Sequence, residues 1–397
     1  MLPRTIESQL QRLARQFPVL AITGPRQSGK TTLVQSCFKD FDYVNLEDLE
    51  IRAYADEDPK GFLADHPAPL ILDEVQRVPT LLSYIQVISD ENRRMGQYVL
   101  TGSHQPRLRA EVSQSLAGRA GLLKLLPLSI AELNQAEISL SRDEYIFKGF
   151  LPKLHAIEGA DAELEYSNYY ATYVERDVRQ LINLQHQREF EVFIRLLAGR
   201  IGQLLNLSSL ADDVGVTTTT LTEWLNVLEA SFIIFRLPPY FENFGKRLIK
   251  SAKVYFSEVG LAAWLLGIKN PSMVGRDPLL GNLFENMVVL EALKARLNSG
   301  KNPDLYFFRD QQGFEIDLLL ADKRKIHPFE IKAGRTYSSN YAKNLKKFVG
   351  RDEKIQNGTV IYAGDLKQSG PPTVINFKNT AEAISKTDNE KISGSSR

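Results

Sequence analysis

Residues 24–32 combine two glycines, one lysine and three hydroxyl side chains in the spacing of a phosphate-binding loop. The segment GPRQSGKTT matches the pattern G-x-x-x-x-G-K-[ST] and follows a short apolar run, where a buried strand is expected. In such a loop the lysine reaches the β- and γ-phosphates and the next hydroxyl ligates Mg²⁺. We therefore predict ATP and Mg²⁺ as cofactors, with Lys30 also catalytic. The predicted nucleotide-binding residues are Gly24, Pro25, Arg26, Gln27, Ser28, Gly29, Lys30, Thr31 and Thr32.

A second apolar run, at residues 69–72, ends in two adjacent acids, Asp73 and Glu74. The acid that follows the neighbouring strand of a phosphate-binding-loop protein holds the magnesium ion, which assigns Asp73 to the metal together with Thr31. Glu74 would then accept a proton from the attacking water. Such a base favours hydrolysis of ATP over transfer of its phosphate to a small acceptor, so a small-molecule kinase is disfavoured.

Ser103 and Arg119 are two further candidates for the hydrolytic step. Ser103 follows an apolar run at residues 98–101, where hydrolysing proteins of this kind place a polar residue that positions water, and Thr101 is the alternative. An ordinary turn after the strand explains Ser103 almost as well. Arg119 either stabilises the γ-phosphate in the transition state, from this chain or a neighbouring one, or forms a structural ion pair.

Near the other end of the chain, Asp317, Glu330 and Lys332 have the spacing of a phosphodiester-cleaving site. Glu330 and Lys332 lie two apart in one predicted strand, so their side chains share a face. With Glu285 from a preceding helix, the carboxylates would bind Mg²⁺ and Lys332 would steady the attacking water. Two alternatives remain open. The first is an ordinary exposed strand, where an acid and a lysine two residues apart are common. The second is that Glu315, rather than Asp317, is the metal ligand.

The elements that must position these residues fall into three predicted domains and a tail. Apolar runs that alternate with helical patterns predict an α/β nucleotide-binding domain over residues 1–160. Helical periodicity predicts a middle domain over residues 161–275, and strands return with a helix in an α/β domain over residues 276–385. The polar segment 386–397 is expected to be a flexible tail.

The middle domain contains a pattern that is typical of a winged helix. Helices are predicted at residues 208–213 and 218–230, and apolar segments at 232–237 and 253–256 would form the wing. Residues 217–220 would then contact DNA, but the second helix carries no lysine or arginine, and a winged helix that only packs against its neighbours remains the alternative.

Charge balance and cysteine content exclude several classes of protein. The 49 basic residues against 48 acidic ones give no overall attraction to nucleic acid, although residues 323–354 are locally basic and fit either a phosphate-facing surface or a solvated face. Cys37 alone excludes an internal disulfide framework and a multi-cysteine zinc site. No apolar run reaches the ~20 residues of a membrane span, and the first residues do not resemble a signal peptide, so a cytoplasmic protein is expected.

Several distinctive motifs follow one another along most of the chain. They are GPRQSGKTTL at 24–33, LDEVQRVP at 72–79, LTGSHQ at 100–105, LAGRA at 116–120, PLSIAEL at 127–133, YVERDV at 173–178, VYFSEVGLAAWLLG at 254–267, GNLFENMVVLEAL at 281–293, FFRDQQGFEIDLLL at 307–320 and FEIKAGRT at 329–336. Together they resemble bacterial and archaeal AAA-type P-loop ATPases that carry a C-terminal domain of unknown function with a restriction-endonuclease-like fold. The resemblance implies ATP binding, and a nuclease-like fold for residues 276–385.

Two positions depart from the pattern of that family. Glu258 stands where members tend to have an aspartate. The segment KGFLP at 148–152 stands where they tend to have a Gly-Gly-x-Pro-like turn.

Two functional hypotheses follow from these patterns. In the first, Mg-ATP binding and hydrolysis control nucleic-acid binding or metal-dependent cleavage by the C-terminal domain, with DNA favoured over RNA as the partner. In the second, the protein is a nucleotide-gated regulatory or interaction protein whose nuclease-like domain is catalytically inactive. An oligomer is compatible with both hypotheses.

Overall fold

The computed structural model describes residues 1–103, 115–178, 187–240, 251–321 and 325–389. The chain divides into two compact units. The first unit comprises Met1–Leu128, Ala230–Phe232 and Leu297–Lys301, and the second comprises Ser129–Glu229, Ile233–Arg296 and the chain from Asn302 onwards. None of the described helices is long and apolar enough to cross a membrane.

The first unit is built on a parallel five-stranded sheet with the strand order β2-β3-β4-β1-β5. Its central strands read as continuous apolar runs because both faces of the sheet are covered. The strands are β1 (Val19–Thr23), β2 (Asp42–Asn45), β3 (Leu70–Asp73), β4 (Tyr98–Gly102) and β5 (Ala120–Lys124).

Two apolar clusters cover the faces of this sheet, and β1 contributes alternate residues to each. Val19 and Ala21 belong to one cluster, whereas Leu20 and Ile22 belong to the other, as the period of two in a strand requires. The described part of this unit contains the α-helices Glu7–Ala14, Lys30–Cys37, Leu49–Glu57, Pro59–Asp65 and Leu81–Asn92.

The second unit begins with helices and contains the elements of the predicted winged helix. Asn206 caps the helix Leu207–Val214, which ends at Gly215 in the left-handed conformation, with φ 81°. The next helix, Thr218–Ala230, leads into the antiparallel strands β6 (Ile234–Leu237) and β7 (Lys253–Phe256). The two helices and the strand pair form where the sequence predicts them, while the winged-helix class and a DNA contact at residues 217–220 stay predictions.

The remaining helices of the second unit lie before, between and after these elements in the chain. One of them, Tyr170–Val178, is a π-helix. The α-helices are Ile130–Gln135, Arg142–Lys148, Pro152–Ala156, Ala162–Tyr169, Gln187–Ala198, Val259–Leu265, Pro271–Val274, Leu280–Asn298, Lys343–Val349 and Thr380–Asn389.

A mixed five-stranded sheet with the order β12-β11-β10-β9-β8 completes the second unit. The strands β8, β9 and β10 pair antiparallel, and β10, β11 and β12 pair parallel. The strands are β8 (Leu305–Arg309), β9 (Glu315–Ala321), β10 (Ile326–Lys332), β11 (Thr359–Tyr362) and β12 (Thr373–Asn376). Strands and helices both occur in this part of the chain, and its restriction-endonuclease-like fold stays a prediction.

Contacts within the second unit join segments that the sequence assigns to separate domains. The side chain of Asn286 accepts a hydrogen bond from the Phe256 backbone N–H (2.7 Å) and donates one to the Phe256 carbonyl (2.9 Å). The strand β7 is thereby fixed to the helix Leu280–Asn298, so the structure does not separate residues 161–275 from 276–385. The first unit ends at Leu128, earlier than the predicted boundary near residue 160.

The C-terminal boundary also differs from the expectation. The helix Thr380–Asn389 continues past the predicted domain end at residue 385, and Lys386 forms an ion pair with Glu382 one turn earlier (2.6 Å). Residues 386–389 are therefore helical, because the pair adds to a helix that is already established. The rest of the predicted tail lies outside the described residues.

Glu258 caps the helix Val259–Leu265 and is buried against the turn at residues 148–152. Its Oε1 accepts hydrogen bonds from the backbone N–H of Phe150 (2.9 Å) and Gly260 (3.2 Å) and from the hydroxyl of Tyr166 (3.0 Å). Gly149 has φ 63°, and a Cβ there would overlap Glu258 Oε1 and the Tyr166 hydroxyl. The two departures from the family pattern are thus in direct contact.

Candidate functional site

The loop between β1 and the helix Lys30–Cys37 has a backbone that only glycine allows at two positions. Gly29 has φ 89° and ψ 24°, in the left-handed region. A Cβ on Gly24 would overlap the carbonyl oxygen of Leu125. The glycines of the motif therefore have a steric reason, and the loop wraps around the first turn of the helix as phosphate-binding loops do.

Lys30 is buried at the centre of this loop, with 6% of its surface exposed. Its ammonium donates to the carbonyl oxygens of Gly24 (3.0 Å) and Pro25 (2.9 Å). Burial lowers the pKa of Lys30 to about 8, against the opposing effect of Glu74 and Asp73. The hydroxyl of Ser28 is also buried and has no hydrogen-bond partner in the described part of the chain. The Lys30 ammonium, whose described hydrogen bonds go to carbonyl oxygens, can donate to a phosphate group. The Ser28 hydroxyl can do the same.

Asp73, at the end of β3, is held by three hydroxyl groups. Thr31 Oγ1 (2.7 Å) and the Tyr43 hydroxyl (2.9 Å) donate to Oδ2, and Thr101 Oγ1 donates to Oδ1. The predicted metal ligands Thr31 and Asp73 are therefore adjacent, and hydroxyl and carboxylate oxygens are the ligands that Mg²⁺ prefers. Thr101, the alternative to Ser103, serves Asp73 instead. The contribution of Tyr43 was not predicted, because nothing in its local sequence distinguishes it from other strand tyrosines.

Glu74 stands beside Asp73 in a left-handed conformation, with φ 56° and ψ 42°. Ser103 Oγ donates to Glu74 Oε2 (3.0 Å), and Gln76 Nε2 donates to the same oxygen. Non-glycine residues in this conformation are strained and concentrate at functional sites. The structure thus brings both Ser103 and Gln76 to Glu74, while the role of Ser103 in positioning water stays a prediction.

Arg119 forms an ion pair at the surface of the first unit. Its Nε (2.6 Å) and Nη2 (2.8 Å) both bind the carboxylate of Asp90. This geometry matches a structural ion pair, which is one of the two roles left open for Arg119. A role at the γ-phosphate of a neighbouring copy stays a prediction.

In the second unit, Asp317, Glu330 and Lys332 meet as their strand positions predict. The Lys332 ammonium lies 2.8 Å from Asp317 Oδ2 and 2.6 Å from Glu330 Oε2, and the Ile331 N–H donates to Asp317 Oδ2 (2.7 Å). Burial and the negative charge of Asp317 together raise the pKa of Glu330 to about 8, against the opposing effect of Lys332. The three groups form one electrostatic cluster.

Glu285 belongs to a second cluster, centred on Lys253. The Lys253 ammonium lies 2.8 Å from Glu285 and 2.5 Å from Glu315, and the Tyr255 hydroxyl donates to Glu285 (2.6 Å). Lys253 is only 2% exposed. Burial lowers its pKa, but the carboxylates of Glu285 and Glu315 outweigh burial and hold the pKa above its usual range. The sequence offered no signal for Lys253, because it lies far from the other members along the chain.

The four carboxylates are therefore divided between two lysines. Among the described residues, no group of three histidine, cysteine, aspartate or glutamate side chains is placed to hold a metal ion. This differs from the expectation that Glu285, Asp317 and Glu330 share a Mg²⁺ ion, because Lys253 takes Glu285 and Glu315 while Lys332 takes the other two. The geometry does not fit that metal, and its binding there stays a prediction.

The basic stretch forms an exposed surface around the helix Lys343–Val349. Lys343, Lys346 and Lys347 are exposed. Lys347 lies over the ring of Phe314, 4.9 Å from its centroid, and the Arg351 guanidinium lies 4.2 Å from the same centroid while contacting Asp310 (3.4 Å). Lys323 and Arg324 lie outside the described residues. We call the three exposed lysines with Phe314 the basic surface.

Three family models match successive parts of the chain. Residues 16–134 match an AAA domain, residues 140–272 match a domain of unknown function (DUF8612), and residues 280–379 match another domain of unknown function (DUF4143). The AAA match covers the loop at residues 24–32, both acids after β3, Ser103 and Arg119. The two other matches carry no described activity.

Uncharacterised proteins of Mycobacterium bovis and Mycobacterium tuberculosis are each 32% identical to the chain over 378 residues, which cover 94% of this chain and 82% of the relative. Among solved structures, a Walker-type ATPase of Pyrococcus abyssi aligns with 67% of this chain and 96% of its own, at 14% identity and a TM-score of 0.44.

Proposed function

The chain belongs to the same family as these mycobacterial proteins and carries a P-loop AAA-type ATPase domain, and on that premise we propose that it binds Mg-ATP at residues 24–32 and hydrolyses it. The observation that carries the proposal is the position of Glu74, whose carboxylate accepts a hydrogen bond from Ser103 beside the Thr31–Asp73 pair. A carboxylate suited to act as a base, a hydroxyl that contacts it and a pair of oxygen groups suited to Mg²⁺ support this proposal.

Each side chain has one task in this proposal. Lys30 leaves the carbonyls of Gly24 and Pro25 to bind the phosphates, and Ser28 donates its unused hydroxyl. Thr31 and Asp73 would hold Mg²⁺, which neutralises charge on the phosphates when it is bound. Glu74 accepts the proton of the attacking water, and Ser103 fixes the carboxylate in the orientation that this requires.

Phosphate release from ATP in Mg²⁺ tests the proposal. We expect Glu74→Gln to lower the rate by at least ~10²-fold while ATP still binds, because the amide cannot accept the proton. Lys30→Ala should abolish binding itself. The matched control is Arg200→Ala in the second unit, where Arg200 pairs with Asp213. Undiminished turnover in Glu74→Gln would rule out Glu74 as the base.

A second function is supported by the basic surface, which we propose binds the phosphate backbone of nucleic acid, with DNA favoured. Three exposed lysines on one short helix suit this partner, since their ammonium groups can contact successive phosphates. Nucleotide state in the first unit would control that binding. Metal-dependent cleavage is not part of the proposal, because the C-terminal carboxylates are bound by Lys253 and Lys332.

Binding of labelled single- and double-stranded DNA and RNA over a range of salt concentrations tests this function. Changing Lys343, Lys346 and Lys347 to Gln should weaken binding and lower the slope of log K against log salt by about 2 to 3, given a contribution near 0.7 to 0.9 per phosphate contact. A matched triple change to Gln at the exposed Lys39, Lys60 and Lys269 should leave the slope unchanged. Equal slopes for both triple variants would exclude the basic surface as the site that binds nucleic acid.

The same samples, incubated with Mg²⁺ or Mn²⁺ and with or without ATP, report on cleavage. We expect intact nucleic acid in every sample. Cutting by the wild type that Lys332→Ala abolishes would instead establish the nuclease that the spacing of Asp317, Glu330 and Lys332 first suggested.

A further inference from the structure

Three loops that follow β1, β2 and β3 each contribute one charged side chain to the edge of the first sheet where the nucleotide site lies. The residues are Arg26, Glu47 and Arg77. One guanidinium nitrogen of Arg26 lies 3.5 Å from Glu47 Oε1, and one of Arg77 lies 3.6 Å from the same oxygen. A single carboxylate oxygen therefore holds two guanidinium groups.

Glu47 is fixed in place by the strand pair that also positions Asp73. Asn45 is opposite Asp73 in the register of β2 and β3. The Asn45 side chain accepts from the Glu47 backbone N–H (2.9 Å), and the Leu46 N–H donates to the Asp73 carbonyl (3.0 Å). The carboxylate that holds the two arginines is thus tied to the end of the strand that carries the predicted metal ligand.

Both arginines are close in the chain to groups that handle the phosphates. Arg26 lies within the phosphate-binding loop, and its charge is one of the influences that lower the pKa of Lys30, after burial. Arg77 lies at the end of the short 3₁₀ helix that follows Glu74, and its backbone N–H donates to the Glu74 carbonyl (2.9 Å). The backbone of each arginine is therefore tied to the loop or to Glu74.

The contacts with Glu47 are of a kind that another anion replaces easily. The three side chains are between 28% and 46% exposed, and both nitrogen–oxygen distances exceed those of a strong ion pair. Exposed pairs of this kind contribute little. A terminal phosphate offers three acceptor oxygens and a larger negative charge, and guanidinium groups bind phosphate oxygens in a bidentate manner.

We propose that Arg26 and Arg77 recognise the γ-phosphate of a nucleoside triphosphate and that Glu47 holds them when this phosphate is absent. The inference rests on the proposed function, because it names the groups that distinguish ATP from ADP at the same site. Glu47 competes with the γ-phosphate for both arginines. Arg119 does not share this role within the chain, since its guanidinium is bound on two nitrogens by Asp90.

The test is the affinity of the full chain for a fluorescent, non-hydrolysable ATP analogue and for fluorescent ADP, both with Mg²⁺. Arg26→Ala and Arg77→Ala should each lower the affinity for the ATP analogue about tenfold, which corresponds to ~1.4 kcal/mol, and leave that for ADP within about twofold. Arg77→Lys should recover part of the loss. Glu47→Gln should raise the affinity for the analogue and not for ADP, because it removes the competitor.

Arg200→Ala is the matched control, and thermal unfolding of each variant monitors folding. An equal loss of affinity for both nucleotides in Arg26→Ala and Arg77→Ala would mean that the arginines only support the loop, and unchanged affinities would mean that they contact no phosphate. Either result overturns the inference and leaves the proposed function intact. If the wild type binds neither nucleotide, and behaves like Lys30→Ala, the proposed function fails as well.

Discussion

Ser103 Oγ donates a 3.0 Å hydrogen bond to Glu74 Oε2, although the two residues are 29 apart in the chain, because each directly follows one of the paired strands β3 and β4. Gln76 donates to the same oxygen. The carboxylate that we propose as the general base is therefore held through one oxygen by two donors.

Removing one of these donors should reduce hydrolysis more than binding. We expect Ser103→Ala to lower the rate of phosphate release by about tenfold, since one net hydrogen bond to a charged group is worth about 1.5 kcal/mol, and to leave the affinity for ATP unchanged. Single-turnover assays with saturating ATP measure this rate. Ser103→Thr, which keeps the hydroxyl, should retain most of it, and a loss that is equal in both variants would argue against a role for the hydrogen bond.

Tyr43 should tune the affinity of the site for Mg²⁺. Its hydroxyl donates to the oxygen of Asp73 that Thr31 also contacts, and burial together with Asp73 raises the pKa of Tyr43, so the phenol stays protonated. Tyr43→Phe should leave Asp73 with one donor fewer and change the Mg²⁺ concentration that gives half-maximal hydrolysis by roughly threefold to tenfold. Tyr54→Phe, which removes an exposed hydroxyl bound to Asp65, is the control.

The pH dependence of nucleotide affinity should report on Lys30. Because burial lowers the pKa of Lys30 to about 8 from 10.5, the ammonium is present below that pH and is lost as the pH rises through it. The affinity for the non-hydrolysable ATP analogue should therefore fall between about pH 7 and about pH 9.5. In that range, binding of one nucleotide should be coupled to the uptake of up to one proton. Titrations at constant ionic strength measure this, and a flat profile would contradict the assignment.

The lowered pKa of Lys30 should make the free energy of unfolding change with pH in the direction opposite to nucleotide affinity. Between pH 8 and 10.5 the unfolded chain keeps a proton on Lys30 that the folded, nucleotide-free chain has released. Since the unfolded state binds more protons in that window, the contribution of Lys30 to the free energy of unfolding rises with pH. Lys30→Met should remove this contribution, which chemical denaturation at several pH values would reveal.

Lys253 should be essential for the stability of the second unit. Lys253→Met leaves Glu285 without its cation at a largely buried position, while Glu315 keeps its ion pair with Arg309 (2.9 Å), and we expect a loss of about 3 kcal/mol in the free energy of unfolding. The exposed Lys343→Met should cost less than ~0.5 kcal/mol. Adding Glu285→Gln to Lys253→Met should recover part of the loss. If Lys253→Met alone is as stable as the wild type, the ion pairs of Lys253 do not stabilise the fold.

The nucleotide site could be predicted from the sequence because its groups lie in two short segments. The loop at residues 24–32 and the pair Asp73–Glu74 each follow an apolar run, so the motif and its strand are visible together. Ser103 could be named because the end of β4 follows the same rule. Tyr43, Gln76 and Glu47 could not, since their roles depend on the pairing of β2 with β3 and on the path of the chain after Glu74.

The C-terminal cluster was predictable only in part. A period of two places Glu330 and Lys332 on one face, and the pairing of β9 with β10 brings Asp317 to them as expected. The division of the carboxylates between two lysines was not predictable, because Lys253 comes from a strand that precedes the helix carrying Glu285. The hydrogen bonds between β7 and Asn286, which join the two segments on either side of residue 275, could not be predicted for the same reason.

The contact between Glu258 and the turn at residues 148–152 implies that these positions do not evolve independently. The Glu258 carboxylate occupies the space that a Cβ on Gly149 would need, and it accepts from the next backbone N–H. An aspartate at position 258 is shorter by one methylene and reaches that N–H only if the turn approaches more closely. Across the family, the residue at position 258 and the shape of this turn should therefore covary, so that ancestral changes at one site were accompanied by changes at the other.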